Sequence, residues 1–505
     1  MGNPFTISSY PAPYNFSDGD LGPAITVSPQ YGKSLLDIAE ALKVDPNALA
    51  KANPQLDPRQ ALTPFQQVRV PESLHPQMPV PYADPTQAGP PPSPSLPPQP
   101  LGTSEDATAI KAKLANMDGT PRQSPATNQS VDYSNTPEFK ALPPETQKRL
   151  LEATAKDPAA EQYLQGVVQS PLYSQLSTGQ RTELLNVFAG AKDEGRQELV
   201  QLMGRHLPTG QPALLSTDNS SNHATLLDNL NNLANEPLHS SAANRRSEIL
   251  SQAIDDAAEP TWYLDQGPAS TCSCASHQTA FLINSPAEYT RLLGGLLGPD
   301  RKATLANGDD MYAAKNDVVS HPVVKDGGGP PQPDTRSITE RVFQSALAQY
   351  AYMQTGHVPA PVDANKDIPG LTLQESAAAL GGLYGKKYQV LDDPSNTAAT
   401  MDAVEKELAD HRGPVPVSLQ WAGGSHMVLV DHISTDTRPM KVYIRNPWGS
   451  AAAEGQDYKD GKQIGTAANG AWGPRRTVAD KQSGLEVMTY NDFSNNIQGA
   501  VVQQN

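Results

Sequence analysis

The sequence predicts an α+β protein built in several units, and three observations carry that expectation. At 505 residues the chain is long enough for two to four folding units. All four tryptophans (Trp262, Trp421, Trp448, Trp472) and both cysteines (Cys272, Cys274) lie beyond residue 258, so the material of a large packed core is concentrated in the C-terminal half. The periodicity is helical between Pro143 and Pro260, whereas β-like apolar runs appear at 415–419, 426–430 and 442–444.

Composition excludes several functions. The 54 acidic and 38 basic residues leave a net charge of −16, and no Lys/Arg cluster is present, which argues against a phosphate-tracking surface for nucleic acid. Met1-Gly2-Asn3-Pro4 offers neither a basic region nor an apolar run, so no Sec-type signal peptide is expected. No stretch approaches about 18 consecutive apolar residues, so no integral membrane association is expected. The expectation is a soluble protein, cytoplasmic or exported by a non-classical or specialised route. A disulfide between Cys272 and Cys274 would be strained, which leaves a reactive thiol open and rules out a disulfide scaffold.

Residues 1–24 are expected to be a flexible N-terminus. Residues 25–72 form a βααβ pattern. Ile25-Thr26-Val27 is the first β-like run, Ser34 can cap a helix through Leu42, Asp45-Pro46 starts a second helix that Asn53-Pro54 stops, and Gln67 to Pro71 is the last run. This arrangement, with the Leu49 to Pro54 ending, resembles a LysM domain. Gly32-Lys33-Ser34-Leu35 stands where that family has Gly-Asp-Thr-Leu. The resemblance implies binding of an N-acetylglucosamine-containing glycan in a groove of Gly32, Ser34, Leu35, Asn53, Pro54 and Leu56. A small folded cap without a sugar ligand is the alternative.

Residues 73–136 read as a linker. Eleven prolines between Ser73 and Leu101, including Pro90-Pro91-Pro92, favour extended polyproline II and cannot build a core. Residues 137–258 read as short amphipathic helices, with Leu184 to Phe188 following a cap at Ser177 or Thr178, and Leu226, Leu230 and Leu233 on one face. They are expected to pack on the C-terminal domain. An inhibitory role, suggested by their position ahead of the candidate nucleophile, stays open.

Residues 259–505 carry the chemistry. A Gly/Pro/Ser-rich turn, Gln266 to Thr271, runs into Cys272 and then into apolar residues that suit a buried helix. That places Cys272 at a helix N-terminus, where free N–H groups and the peptide dipoles favour a thiolate. His426 opens the apolar strand that follows Gly423-Gly424-Ser425. Asn446 ends another strand within Asn446-Pro447-Trp448-Gly449. Cys, then His, then Asn is the order needed for a nucleophile, its base and an orienting amide.

This set resembles the papain-like cysteine peptidases, with Asn-Pro-Trp-Gly in the calpain form and with Leu485 to Phe493 resembling the end of a calpain protease core. The resemblance implies a two-lobe domain, one helical and one antiparallel β. It also implies that Cys272 attacks a carbonyl carbon, His426 exchanges the proton, Asn446 holds the imidazole, Gln266 with the Cys272 backbone N–H stabilises the oxyanion, and Trp448 shields the His–Asn hydrogen bond. Ser273 takes the place where the family has Trp, so the cleft wall is altered. No cofactor and no metal are expected. There is no His-Glu-x-x-His, and Asp363 to Asp367 imitates a calcium loop but has Ile368 where Gly is needed.

The expected function is hydrolysis of amide bonds in a protein or peptide substrate, localised by the LysM-like module, in the manner of a bacterial secreted or translocated effector. Two other readings stay open. One is a peptidoglycan-peptide hydrolase, or an amide-transferring or deamidating effector, using the same triad. The other is a catalytically inactive glycan-binding or scaffold protein.

Overall fold

Two units divide between Thr127 and Asn128. The computed structural model describes residues 5–8, 24–29, 39, 46–53 and 68–71 of the first. In the second it describes 133–504 except 320–322, 325–331, 358–361, 367, 394, 411–412, 422–423, 435–438, 449–457, 460–461, 464–475 and 481–482.

In the first unit, β1 (Phe5–Ser8), β2 (Ala24–Pro29) and β3 (Val68–Pro71) form an antiparallel sheet in that order. β1 lies within residues 1–24, most of which are outside the described residues. In the β1–β2 register Ile7 pairs with Val27. The helix Pro46–Ala52 begins on Pro46, where a missing N–H costs nothing. It stops at Asn53, whose Nδ2 donates to the Leu49 carbonyl at 2.8 Å. Most of the expected helix 34–42 and nearly all of the linker lie outside the described residues.

The second unit opens on helices. Thr136, Asp157 and Ser170 each accept a backbone N–H and are each followed by a proline at the first helical position, giving Pro137–Ala141, Pro158–Val168 and Pro171–Gln175. Ser177 with Gln180 and Thr225 with Asp228 close reciprocal capping boxes on Thr178–Gly190 and Leu226–Asn235. The apolar faces of these helices join those of Arg246–Ala258, Cys272–Asn284, Pro286–Leu297 and Ile338–Thr355 in one hydrophobic core that runs from Phe139 to Leu383. No packing boundary falls at 258/259. Arg205 makes the join polar as well as apolar, because its buried guanidinium donates to the Ala257 carbonyl and, at 2.8 and 3.2 Å, to the Leu282 and Ile283 carbonyls. These last two belong to the final turn of the helix that Cys272 begins, where carbonyls lack helical partners.

Two small hairpins, β4 (Lys302–Thr304) with β5 (Asp310–Tyr312) and β6 (Val323–Val324) with β7 (Gln332–Pro333), decorate the helices. The rest is a seven-stranded antiparallel sheet. Its strands are β8 (Tyr388–Leu391), β9 (Val415–Trp421), β10 (Gly424–Ser434), β11 (Lys441–Arg445), β14 (Thr477–Asp480), β15 (Leu485–Thr489) and β16 (Ile497–Gln503). Their order is β14-β15-β11-β10-β9-β16-β8, and a separate hairpin joins β12 (Tyr458–Lys459) to β13 (Lys462–Gln463). The sheet has its own core of Val415, Val417, Leu419, Val428, Val430, Val442 and Ile444 with Met401 and Val404 of the helix Thr397–Ala409. The helix Cys272–Asn284 packs against β9 and β10, so it lies between the helical core and the sheet.

Candidate active site

Cys272 is the first residue of its helix, as its turn predicts. The turn is pinned from behind by Gln344 of the helix Ile338–Thr355. Gln344 Nε2 donates to the Asp265 carbonyl at 2.9 Å, and Gln344 Oε1 accepts the Thr271 hydroxyl at 2.8 Å. Thr271 is therefore an N-cap residue without a capping bond, and the first-turn N–H groups stay directed at whatever side chain leads the helix. Burial pushes the Cys272 thiol up. Hydrogen bonds from the backbone of Met427, from the Ser273 hydroxyl and from the backbone of Ser273 and of Cys272 itself pull it down without reversing that. Removal of the sulfur from water thus works against the thiolate that the helix terminus favours.

His426 lies three residues before Leu429, which pairs with Arg445, the last residue of β11; Asn446 follows directly. The hairpin between β10 and β11 therefore brings His426 Nε2 within 2.9 Å of Asn446 Oδ1. Trp448 supports the pair twice. Its backbone N–H donates to the same oxygen at 3.1 Å, and its ring lies 4.7 Å from the imidazole. Trp421, opposite Gly424 in the β9–β10 register, covers the imidazole from another side at 4.7 Å. Burial pushes His426 down to about 4, the hydrogen bond to Asn446 opposing and the Arg476 charge reinforcing that. Cys272 meets this strand at Met427, the neighbour of His426; no hydrogen bond joins the thiol to the imidazole.

Gln266 is brought to the same place. Its backbone N–H donates to the Pro447 carbonyl at 2.8 Å, tying the Cys272 turn to the Asn446–Trp448 segment. Its side-chain Nε2 donates to the Ala269 carbonyl at 2.9 Å, and its buried Oε1 has no hydrogen-bond partner among the described residues. The amide is therefore occupied within the turn.

Three residues at the site are not among the sequence-derived candidates. Asn446 Nδ2 donates to Glu486 Oε1 at 3.4 Å, Glu486 pairs with Arg476 at 2.7 Å, and the Arg476 guanidinium lies 4.0 Å above the Trp421 ring. An acid inside the apolar run Leu485 to Met488 is the signal for Glu486, and the Gly-Gly hairpin is the signal for Trp421. Of the expected glycan groove, Asn53 is buried with its amide on the Leu49 carbonyl; Gly32, Ser34, Leu35, Pro54 and Leu56 lie outside the described residues. Among the described residues no three His, Cys, Asp or Glu side chains converge on a metal position, and no helix is long and apolar enough to cross a membrane. Cys274 is buried on the same helix, and burial pushes its thiol far above the ordinary range.

His277, five residues along the Cys272 helix, is buried with both ring nitrogens unpartnered, and burial pushes it down to about 3. Both it and His426 are neutral in the folded protein but titrate at the ordinary imidazole value when unfolded. Their contribution is therefore present in full above about pH 6.5 and is lost as pH falls toward 4 and 3, on the order of a few kcal/mol each. The thermal midpoint is expected to drop steeply between pH 6.5 and 4, and His277→Phe to flatten that drop. A midpoint independent of pH across this window would contradict the burial of both rings. Compared with known proteins, the chain matches no protein-family model and no curated protein.

Proposed function

We propose that the protein is a cysteine peptidase that hydrolyses amide bonds through an acyl-enzyme on Cys272. The observation that carries this reading is the 2.9 Å hydrogen bond from His426 Nε2 to Asn446 Oδ1, under Trp448, on a strand whose next residue meets the thiol at the head of a buried helix. With Nε2 donating to Asn446, Nδ1 keeps the lone pair that can take a proton. Thiol and imidazole both rest neutral. The sulfur loses its proton to Nδ1 as it attacks the carbonyl carbon, and the imidazolium then protonates the leaving amine. The Cys272 backbone N–H and the Gln266 amide receive the oxyanion, which requires the Gln266 side chain to leave the Ala269 carbonyl when substrate binds.

The resemblance to LysM domains supports a tether to N-acetylglucosamine-containing glycan in the first unit, where an antiparallel sheet and a helix are folded. The inactive-scaffold reading is favoured by one feature, the engagement of Gln266 within its own turn. A panel of denatured protein, fluorogenic peptides and peptidoglycan, followed by mass-spectrometric mapping of a thiol-directed acyl trap, tests both. Cleavage of protein or peptide with the trap on Cys272 is the expected result; a trap on Cys274, or none, would refute it. Retention of the full chain on peptidoglycan, lost on deletion of residues 25–72, is expected for the tether.

A further inference from the structure

We propose that the buried ion pair between Arg476 and Glu486 is a positioning device that fixes the tautomer of His426. The argument starts from what each group can donate. A carboxylate only accepts hydrogen bonds, so Glu486 Oε1, 3.4 Å from the Asn446 amide, selects the orientation in which Asn446 turns its NH2 toward it. That orientation aims Asn446 Oδ1 at His426 Nε2, 2.9 Å away, and an amide oxygen also only accepts. Nε2 must then carry the proton, and Nδ1 is left as the lone-pair nitrogen. The Trp448 backbone N–H, at 3.1 Å from the same Oδ1, enforces the same choice. Without Glu486 only the Trp448 N–H opposes the flipped orientation, which would place an N–H against Nε2, so the tautomer is held less firmly.

Arg476 makes this carboxylate tolerable. Both side chains are excluded from water, at 0% and 1% exposure, and an unpaired carboxylate there would be strongly destabilising. The guanidinium also stacks on Trp421, whose ring faces the imidazole, so one cation reaches His426 by two routes: through Glu486 and Asn446, and through Trp421. Among the described residues, the charged and titratable groups nearest His426 are Cys272 on its helix, Arg476 ahead of β14 and, through Asn446, Glu486 on β15. β9 presents Trp421 and the segment after β11 presents Asn446 and Trp448, none of which titrates. Neither member of the ion pair touches the reacting atoms, so both are positioning residues. The inference rests on the peptidase reading for its kinetic arm alone.

The experiment uses the full chain with ¹⁵N-labelled histidine. In the wild type at pH 7 the ring signals lost in His426→Ala are expected to report a protonated Nε2 and a bare Nδ1. Glu486→Gln, which keeps the volume but can offer an N–H to Asn446, is expected to mix the tautomers and to lower kcat roughly tenfold or more at unchanged KM, a fully wrong tautomer being worth about 10⁴. The titration of His426 is expected to move in opposite directions in the two single variants: upward in Arg476→Met, which leaves a carboxylate nearby, and downward in Glu486→Gln, which leaves a cation. Arg476→Met/Glu486→Leu removes both charges and serves as the folded control if a single variant fails to fold; it is expected to mix the tautomers as Glu486→Gln does. An unmixed Nε2–H tautomer in Glu486→Gln or in the double variant would overturn the proposal, even if their melting temperatures fall. The ring spectra need no turnover, so a wild type that hydrolyses nothing would refute the peptidase reading and leave the tautomer result to decide this one.

Discussion

Cys272→Ala is expected to bring hydrolysis of a fluorogenic peptide down to the residual level of the oxyanion donors and binding alone, a loss of about 10⁴-fold or more in kcat. His426→Ala is expected to match it, and the double variant to be no worse than either single one, because a nucleophile and its base act as a unit. Cys272 leads its helix beside the His426 strand and is half-buried, so the loss of one sulfur atom should lower the melting temperature only slightly. Cys274→Ala is the informative control. That thiol is buried on the same helix, and its replacement should leave kcat in place. Steady-state kinetics with a melting curve for each variant check all four. Undiminished turnover in Cys272→Ala would end the assignment.

Arg205→Ala is expected to cost about 3–5 kcal/mol of stability, the scale of stranding buried groups that had charged hydrogen-bond partners. Three carbonyls lose their donor at once: Ala257 at the end of one helix, and Leu282 and Ile283 at the end of the helix that Cys272 begins. Burial pulls the guanidinium down to about 10, partly offset by Glu259, so it remains charged at any physiological pH and the bonds stay charge-assisted. Arg205→Lys keeps the charge but not the fork, and should recover only part of the loss. Denaturant unfolding measures both. The same contacts decide the fate of a deletion. Removing residues 137–258 exposes the core that runs from Phe139 to Leu383, and the expected product is an unfolded, aggregating chain, not an activated enzyme. Soluble, fully active protein from that deletion would restore the idea of an inhibitory segment.

Much of the local structure was legible in the residues because its causes are local. The cap at Ser177 ahead of Leu184 to Phe188 and the Asp45-Pro46 pair mark helix starts, and the Gly/Pro/Ser-rich turn ahead of Cys272 marks another. His426, Asn446 and Trp448 could be named because each stands in a short motif at the end of an apolar run. What could not be read depends on pairing between distant strands. Glu486 reaches Asn446 because Ile444 lies opposite Glu486 in the β11–β15 register, and nothing in the run Leu485 to Met488 states its partner. Arg476 is hidden for the same reason. Helical periodicity announced that residues 137–258 have apolar faces expected to pack on the C-terminal domain, but not which partners they meet, so the role of Arg205 was invisible. The burial that opposes the thiolate was hidden because a helix terminus is a sequence feature, whereas desolvation depends on the completed packing around Cys272.

The strand order carries a consequence for the time at which the site comes into being. β16, residues 497–503, lies inside the sheet between β9 and β8. On the ribosome Cys272 emerges first, His426 some 150 residues later and Glu486 later still; yet β9, which supports the His426 strand along its length, keeps an open edge until residues 497–503 arrive to close it. A chain interrupted just before that point holds Cys272, His426 and Asn446 without the completed sheet. On the peptidase reading, deletion of residues 497–503 is therefore expected to abolish turnover while leaving Cys272, His426 and Asn446 in the chain.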